Sequence, residues 1–460
     1  MKMTNYSIIR KSQLEGALRL DAEYYQPEYL EFSKNLLRIG EVPLGDLAFI
    51  TDGQHGYHIV DPLSAIRHIT AKNVVAWIVN DQDADRLAKE TNDRNKRSVL
   101  EENDLLISTA GTTGEIGLVT KAILPANIDQ DVARVQILDQ KKLNPKFLVA
   151  FLNSKYGQFQ LTRQTTGQIQ THISLDKIKN EVFVPVPDWQ DKIAILVDDA
   201  VLNVENSKSF YSQAEDLLLE ELGIKNWIPD RVGNDKGEIF SVVNLSEVQN
   251  NRRIDAEYYQ AKYQKILALI RANKGMALGE LVSLKKGFEP GSEAYQEEGK
   301  LFIRVSSLTK QGIIDKDQKY LNDKLYLEQK KDCEPKVGEI LLTKDASPGI
   351  AYVVKESVEG VISGGIVRLK LREQNIEPEY VALCISSVLG QAQVERDAGG
   401  SVIMHWKPEQ IKNLQIPILP KSTQEKIADL VKQSHEARKK AKELLERAKQ
   451  KVEELIEKGI

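Results

Sequence analysis

The sequence predicts an α+β protein: two similar α/β domains separated by two long antiparallel coiled-coil helices, with an internal pseudo-two-fold repeat. The main observation is that Arg-Leu-Asp-Ala-Glu-Tyr-Tyr-Gln at 19–26 returns as Arg-Ile-Asp-Ala-Glu-Tyr-Tyr-Gln at 253–260. The same offset carries Gly45 onto Gly279 and Gln190 onto Gln424. Each half also ends in a heptad-spaced segment. A repeat this long indicates a duplicated domain rather than a solenoid of about 20–50-residue units.

Composition places the chain among ordinary globular proteins. Of its 460 residues, 41% are hydrophobic and 28% charged. Cys333 and Cys384 lie far apart without a Cys-x-x-Cys spacing, which argues against a disulfide framework or a zinc ribbon and fits a reducing cytoplasm. We expect neither a signal peptide nor a membrane-spanning run of about 18 apolar residues. The net charge of −4 is weak evidence against nucleic-acid binding, but local basic groups such as 94–97 and 285–286 can share one face.

Each half is predicted to begin with a short strand, at 6–9 and at 240–243, followed by a short helix that carries the paired tyrosines. The tyrosines are interpreted as packing residues. Buried strands are then predicted at 104–108 and 339–343. Each leads through a glycine-containing turn, 111–114 or 346–349, into a second strand, 116–120 or 350–354.

Helices are predicted at 144–164 and 377–396, with Pro145 and Pro378 at the first helical position. Proline-rich extended connectors follow at 183–187 and 415–420.

Long helices are predicted over about 190–222 and 422–458. Small residues recur every seven positions in both (Ala200, Ser207 and Ala214; Ser434, Ala441 and Ala448). Small side chains permit a close approach, so we expect the two helices to pair with each other, antiparallel. The alternative is that each packs on its own globular domain. Thirty helical residues make a rod of roughly 45 Å.

No catalytic constellation is present. The sequence lacks a Walker phosphate loop, a G-x-G-x-x-G after a strand, a G-x-S-x-G elbow, a H-E-x-x-H helix and an EF-hand loop. His172 and His405 occupy equivalent positions after the glycine turns, and two isolated histidines do not make a metal site. We therefore expect a non-catalytic binding protein with no metal site.

The chain resembles the specificity subunit of type I restriction–modification systems. The resemblance rests on the Asp-Ala-Glu-Tyr-Tyr starts, on the strand–glycine turns at 103–120 and 338–354, and on the closing signatures. These run from Gly167 to Gln190-Asp191-Lys192-Ile193 and from Gly399 to Gln424-Glu425-Lys426-Ile427. The resemblance covers nearly the whole chain.

The resemblance implies two target-recognition domains, each reading half of a split double-stranded DNA site, with the helix pair fixing the gap. It implies docking of two modification (methyltransferase) subunits, which two restriction subunits would join. S-adenosylmethionine, ATP and Mg are expected in those partners, and no cofactor in this chain. The implied division is 1–188 for the first target-recognition domain with its N-terminal segment, 189–222 for the central helix, 223–239 for the linker, 240–420 for the second domain and 421–460 for the C-terminal helix.

Base reading requires polar side chains on loops that enter the major groove. Arg or Lys suits guanine and Asn or Gln suits adenine, while Ser, Thr and Lys also contact phosphates. The candidates in the first domain are Gln54, His55, Tyr57, Arg67, Thr112, Thr113, Gln168, Gln170 and His172. Those in the second domain are Lys285, Lys286, Arg304, Ser306, Lys344, Ser347, Ser401, His405 and Lys407. The two sets differ in residue type, which predicts an asymmetric target.

Two other functions are compatible with the sequence. A two-headed coiled-coil scaffold that joins protein partners would fit the slightly acidic balance, and it predicts no salt-sensitive DNA binding. An enzyme with an unfamiliar site would show nuclease or methyl-transfer activity alone.

Overall fold

The computed structural model describes residues 7–11, 22–74, 77–81, 83–165, 171–224, 242–251, 253–314, 318–373, 375–398 and 404–459. The chain divides into two compact units. The first comprises residues 1–204 and 439–460, and the second comprises residues 205–438. Among the described helices, none combines the length and the apolar character that crossing a membrane requires.

The strands of the first unit are short and lie between glycine- and proline-containing turns. They are β1 (Val42–Pro43), β2 (Ala48–Asp52), β3 (Arg67–Ile69), β4 (Trp77–Ile78), β5 (Asp85–Arg86), β6 (Leu105–Ser108), β7 (Ile116–Leu118), β8 (Ala126–Ile128), β9 (Val132–Ile137) and β10 (Phe183–Val184). One sheet has the order β2-β9-β6-β7-β4 and another the order β5-β3-β8, while β1 pairs with β10. Buried residues throughout β6 and β7 confirm the strand–turn–strand predicted there.

The helices of the first unit are mostly short, apart from the long helix that closes it. They are α1 (Pro27–Ile39), α2 (Lys89–Arg94), α3 (Pro145–Asn153), α4 (Lys155–Gln164), α5 (Leu175–Glu181) and the first part of α6 (Gln190–Glu221). Pro145 opens α3 as predicted, and the Asn144 side chain caps the helix by accepting from the Lys146 amide. Tyr24 and Tyr25 are buried in a single 3-10 turn, which confirms their packing role.

The second unit repeats these strands. They are β11 (Met276–Ala277), β12 (Val282–Lys286), β13 (Lys300–Ile303), β14 (Leu308–Thr309), β15 (Gly312–Ile313), β16 (Lys319–Leu321), β17 (Ile340–Thr343), β18 (Ala351–Val353), β19 (Gly360–Ile362), β20 (Ile366–Leu371) and β21 (Gln415–Ile416). The sheets have the orders β12-β20-β17-β18 and β16-β13-β19, which match those of the first unit without its β4. The duplication read from the sequence is therefore a duplication of topology.

The helices of the second unit follow the same plan. They are α7 (Leu245–Asn251), α8 (Ala261–Ala272), α9 (Leu278–Leu281), α10 (Asp323–Cys333), α11 (Pro378–Ser386), α12 (Val388–Asp397), α13 (Pro408–Asn413) and α14 (Lys421–Lys458). The first part of α14 belongs to this unit, and its last part belongs to the first unit.

The two long helices pair with each other inside each unit. In the second unit, Ser207 of α6 meets Ser434 of α14. Both are buried, and the Ser434 hydroxyl donates to the Ser207 carbonyl over 2.7 Å. In the first unit, Ala200 shares a core with Ala441 and Ala448. The first part of α6 thus packs on the last part of α14, and the last part of α6 packs on the first part of α14. These contacts confirm the antiparallel pairing.

Two kinds of predicted element were wrong, each in both halves of the repeat. Residues 7–9 and 242–243 form no strand. Ile8 and Val242 are 83% and 90% exposed, so neither segment is stabilised by burial of apolar side chains or by hydrogen bonds to a neighbouring strand. The single helices predicted at 144–164 and 377–396 are each two helices, interrupted at Ser154 and Ser387.

Both interrupting serines have extended backbone angles, and their hydroxyls donate to carbonyls of the helix that has just ended. Side-chain bonds of this kind compete with helix continuation. The linker predicted from residue 223 lies outside the described residues beyond position 224.

A half-buried histidine makes the second unit sensitive to acid. His435 of α14 lies with Nε2 3.2 Å from the Lys310 carbonyl, and its ring contacts Tyr352. The pKa of His435 is lowered to about 4, mainly by burial and also by Lys355, while the hydrogen bond to the Lys310 carbonyl and Glu379 oppose the shift. In the unfolded chain, the His435 imidazole therefore takes up a proton near pH 6.5. In the folded chain, it takes up that proton only near pH 4.

We predict that the free energy of unfolding falls as the pH drops from about 6.5 to 4, and that His435→Gln weakens this dependence. Glutamine can still donate to the Lys310 carbonyl but does not titrate. Urea denaturation of both proteins at pH 7, 5.5 and 4.5 measures the difference in slope. Parallel pH profiles would show that His435 is accommodated as a cation.

Candidate nucleic-acid interface

In the first unit, loops at the ends of β2, β6 and β8 are tied together by backbone hydrogen bonds. The Thr109 amide donates to the Asp131 carbonyl over 2.8 Å, and the Gly53 amide donates to the Asp129 carbonyl over 3.0 Å. The Ile173 amide donates to the Thr109 carbonyl over 3.0 Å. The loop after β2, the glycine turn and the segment at 171–173 therefore form one scaffold, called here the first loop cluster.

The second unit builds the same scaffold from equivalent atoms, called here the second loop cluster. The Lys344 amide donates to the Gly365 carbonyl over 2.8 Å, and the Phe288 amide donates to the Ile362 carbonyl over 3.3 Å, as the Gln54 amide does to the Ile128 carbonyl in the first unit. The Trp406 amide donates to the Lys344 carbonyl over 2.8 Å. Lys344 thus stands where the first unit has Thr109.

Glycine is required where the first loop of each cluster leaves its strand. A Cβ at Gly53 would lie 1.9 Å from the Ile128 carbonyl oxygen, and one at Gly287 would lie 2.1 Å from the Ser363 carbonyl oxygen. No side chain fits at such distances, so the repeat keeps both glycines. The close approach fixes where the following residues emerge from the sheet.

An ion-paired group lies at the end of β2 in the first cluster. Asp52 accepts from Arg97 Nη2 over 2.8 Å, and its other oxygen lies 2.8 Å from His55 Nε2. Next to it, Gln54 donates to the Tyr57 carbonyl over 2.6 Å and accepts from Asn95 over 3.1 Å. These contacts hold the exposed imidazole and guanidinium in place.

The glycine turn adds hydroxyls and an imidazole. Thr113 Oγ1 donates to the Thr171 carbonyl over 2.8 Å, Thr112 lies 3.4 Å from the Ser108 hydroxyl, and His172 bridges Ala110 as an antiparallel pair. Tyr57 is 88% exposed at the tip of its loop.

A carboxylate holds a lysine ammonium and an imidazole in the second cluster. Asp345 binds the Lys344 ammonium and lies 2.8 Å from His405 Nδ1, and it pairs with His405 across an antiparallel bridge. Burial alone would raise the pKa of Asp345, but the hydrogen bonds from Lys344 and His405 outweigh burial and hold the pKa below its usual value. Asp345 therefore stays ionised and fixes both side chains.

Other second-domain candidates lie at or near the ends of strands and turns. Arg304 and Ser306 follow β13, whose Ile303 carbonyl accepts from the Ser363 amide over 2.9 Å. Exposed candidates at the ends of neighbouring elements are Lys286, Ser347 and Lys407.

Two candidates are engaged elsewhere. Arg67 donates to Asp81 over 2.7 Å and to the Leu124 carbonyl, at the end of β3 away from the first loop cluster. Lys285 pairs with Asp332 over 3.1 Å on the exposed face of β12. Gln168, Gln170 and Ser401 lie outside the described residues.

Sequence reasoning missed the carboxylates of both clusters. Asp52 and Lys286 are the last residues of equivalent strands, and aligning the two halves would have shown this exchange of charge. Burial raises the pKa of Asp129 to about 6, with Asp131 adding to the effect. Because Asp52 stands where the second cluster has Lys286, the first cluster is less basic than the second.

Comparison with known proteins agrees with this architecture. A family model, described as the type I restriction modification DNA specificity domain, matches residues 62–210 and 272–450. The type I restriction enzyme EcoBI specificity subunit of Escherichia coli is 31% identical over 123 residues, which are 26% of this chain and 25% of that subunit. The alignment thus spans about a quarter of this curated relative.

Two solved structures are similar over most of the chain. The type I restriction-modification S subunit from M. genitalium is 15% identical, with 92% of this chain and 96% of that chain covered and a TM-score of 0.40. The HsdS subunit from Thermoanaerobacter tengcongensis is 14% identical, with 91% and 96% covered and a TM-score of 0.27.

The two segments that match the family model fall one in each half of the repeat and together cover more than half of the chain. This chain therefore belongs to the family of type I restriction–modification DNA specificity subunits, which are recognition components and not enzymes.

Proposed function

We propose that each loop cluster reads one half of an asymmetric, bipartite site in duplex DNA. The observation that carries the proposal is a common backbone scaffold with different side chains at equivalent places. Lys344 replaces Thr109, and Lys286 replaces Asp52. Because lysine, glutamine and histidine prefer different base edges, the two clusters should select different bases.

In the second cluster, Lys344 is the best candidate for reading a guanine. Its ammonium group is held by Asp345 beside His405. On binding, it would exchange part of that ion pair for guanine O6 and N7 or for a phosphate. In the first cluster, the Gln54 side-chain amide and the Arg97 guanidinium would make the corresponding contacts to a base edge or a phosphate.

The helix pair is proposed to fix the gap between the half-sites. α6 has 32 residues and is therefore roughly 48 Å long, more than the ~34–36 Å of one DNA turn. We propose that its exposed faces dock two modification subunits, which supply S-adenosylmethionine chemistry, and that two restriction subunits with ATP and Mg join them. The complex would work in the cytoplasm.

Lys344→Ala should relax base preference at one half-site only. Loss of a bidentate base contact costs about 1–3 kcal/mol, or roughly 5- to 150-fold in discrimination. Gln168→Ala should act on the other half-site. Selection from random duplex DNA, with the chain bound to its methyltransferase partner, reports both preferences at once.

Lys370→Ala is the matched control, since this exposed lysine lies on β20 away from the second loop cluster. It should leave both half-sites unchanged. A continuous motif from the wild-type selection would refute the bipartite geometry. Binding that is absent or insensitive to salt would favour the protein scaffold, since phosphate contacts make affinity fall steeply with salt.

A further inference from the structure

Three potential metal-binding side chains of the first unit converge where the loop after β2 meets β3 and β5. His58 follows β2 in the loop, His68 is in β3, and Asp85 is in β5. One ligand atom from each lies within 4.8 Å of the other two. His68 and Asp85 are direct cross-strand partners, and the rings of His58 and His68 have their centres 4.1 Å apart.

His68 is the central residue of this group. It is 3% exposed, and its buried Nδ1 makes no hydrogen bond within the described part of the chain. Buried polar atoms are normally hydrogen-bonded, and an exception calls for an explanation such as a ligand-binding role. The unsatisfied nitrogen and the two neighbouring ligand side chains are therefore independent observations that both favour a metal-binding site.

We propose that His58, His68 and Asp85 bind a divalent transition-metal ion of the zinc class. Two imidazoles and a carboxylate suit such an ion, with water completing a tetrahedron. Ligands at about 2.0–2.2 Å from one ion lie roughly 3.3–3.5 Å apart. Small rotations of the half-buried His58 and the exposed Asp85 would close the present spacing, while buried His68 stays in place.

Other features of the site define its chemistry. Both cysteines, Cys333 and Cys384, belong to the second unit, so no thiolate competes for the ion. The exposed Lys72 is the neighbouring cation and opposes binding electrostatically. Since His58 lies in the loop after β2, a bound ion would fasten this loop to β3 and β5.

The test is titration of the whole chain, stripped of metal with a chelator, with zinc in competition with a chromophoric chelator and without DNA. One equivalent should bind. His58→Gln and Asp85→Asn should each weaken binding at least about tenfold, and His68→Asn at least as much. Saturating zinc should raise the melting temperature of the wild type, because the ion binds only the folded site.

Asp93→Asn is the matched control, an exposed aspartate of the same unit on α2 that should keep wild-type zinc affinity. Asp85→Asn still tests zinc binding if His68→Asn fails to fold. Because Asp85 is exposed, its substitution should leave the fold intact. Absence of saturable binding, or equal affinity in Asp85→Asn and Asp93→Asn, overturns the proposal. DNA recognition can fail without affecting any of these readouts.

Discussion

Replacing Arg368 with leucine should destabilise the second unit by about 3–5 kcal/mol, because the substitution leaves a buried carboxylate without its partner. Arg368 lies in the middle of β20. Its Nε and Nη2 donate to the two carboxylate oxygens of Glu339 over 2.8 and 2.9 Å, and Nη1 donates to the Asp332 carbonyl over 2.7 Å. Both side chains of the ion pair are buried. Urea denaturation followed by circular dichroism measures the loss.

The double variant Arg368→Leu with Glu339→Leu is the control. Removing both charges avoids the uncompensated carboxylate, so the double variant should recover most of the lost stability. The first unit offers an independent copy, since Arg134 donates to Asp104 over 2.6 Å at the equivalent place. A single Arg368→Leu variant as stable as the wild type would mean that water reaches Glu339.

Repetition made the architecture predictable. Seven-residue spacing of small residues sufficed to predict that α6 pairs antiparallel with α14, since only close-packing helices need such a stripe, and Ser207 against Ser434 confirms it. Apolar runs next to glycine-containing turns correctly predicted β6 and β17. Both strands are fully buried, so their sequences are apolar up to the last residue instead of alternating with polar residues.

What sequence reasoning missed depends on contacts distant in the chain. The breaks at Ser154 and Ser387 come from local hydroxyl–carbonyl bonds that helical periodicity does not register. Asp345 and His405 form one cluster only because the glycine turn pairs with a segment 60 residues later. The group of His58, His68 and Asp85 has no recognisable ligand spacing, since loop, strand and neighbouring strand each supply one side chain.

Replacing Gly390 with alanine should destabilise the second unit by about 3 kcal/mol, at the upper end of the range for overpacking. In an exposed helix, alanine would be favoured over glycine by about 1 kcal/mol. Here a Cβ at 390 would lie 2.1 Å from the Ile385 carbonyl oxygen and 2.5 Å from its carbon. Backbone atoms cannot rotate away, so steric overlap outweighs helix propensity. The midpoint of urea denaturation measures the effect.

The same substitution should also move the second loop cluster. Next to Gly390, the side-chain Nε2 of Gln391 donates to the Ile385 carbonyl over 3.1 Å and to the Gly349 carbonyl over 2.9 Å, which holds the glycine turn against α12. Gly157→Ala should repeat the loss in the first unit, while Glu395→Ala on the exposed face of α12 should stay within about 0.5 kcal/mol of the wild type. If Gly390→Ala unfolded at the wild-type urea concentration, the end of α11 would have to be free to shift. The position of the glycine turn next to Lys344 would then depend on the sheet alone.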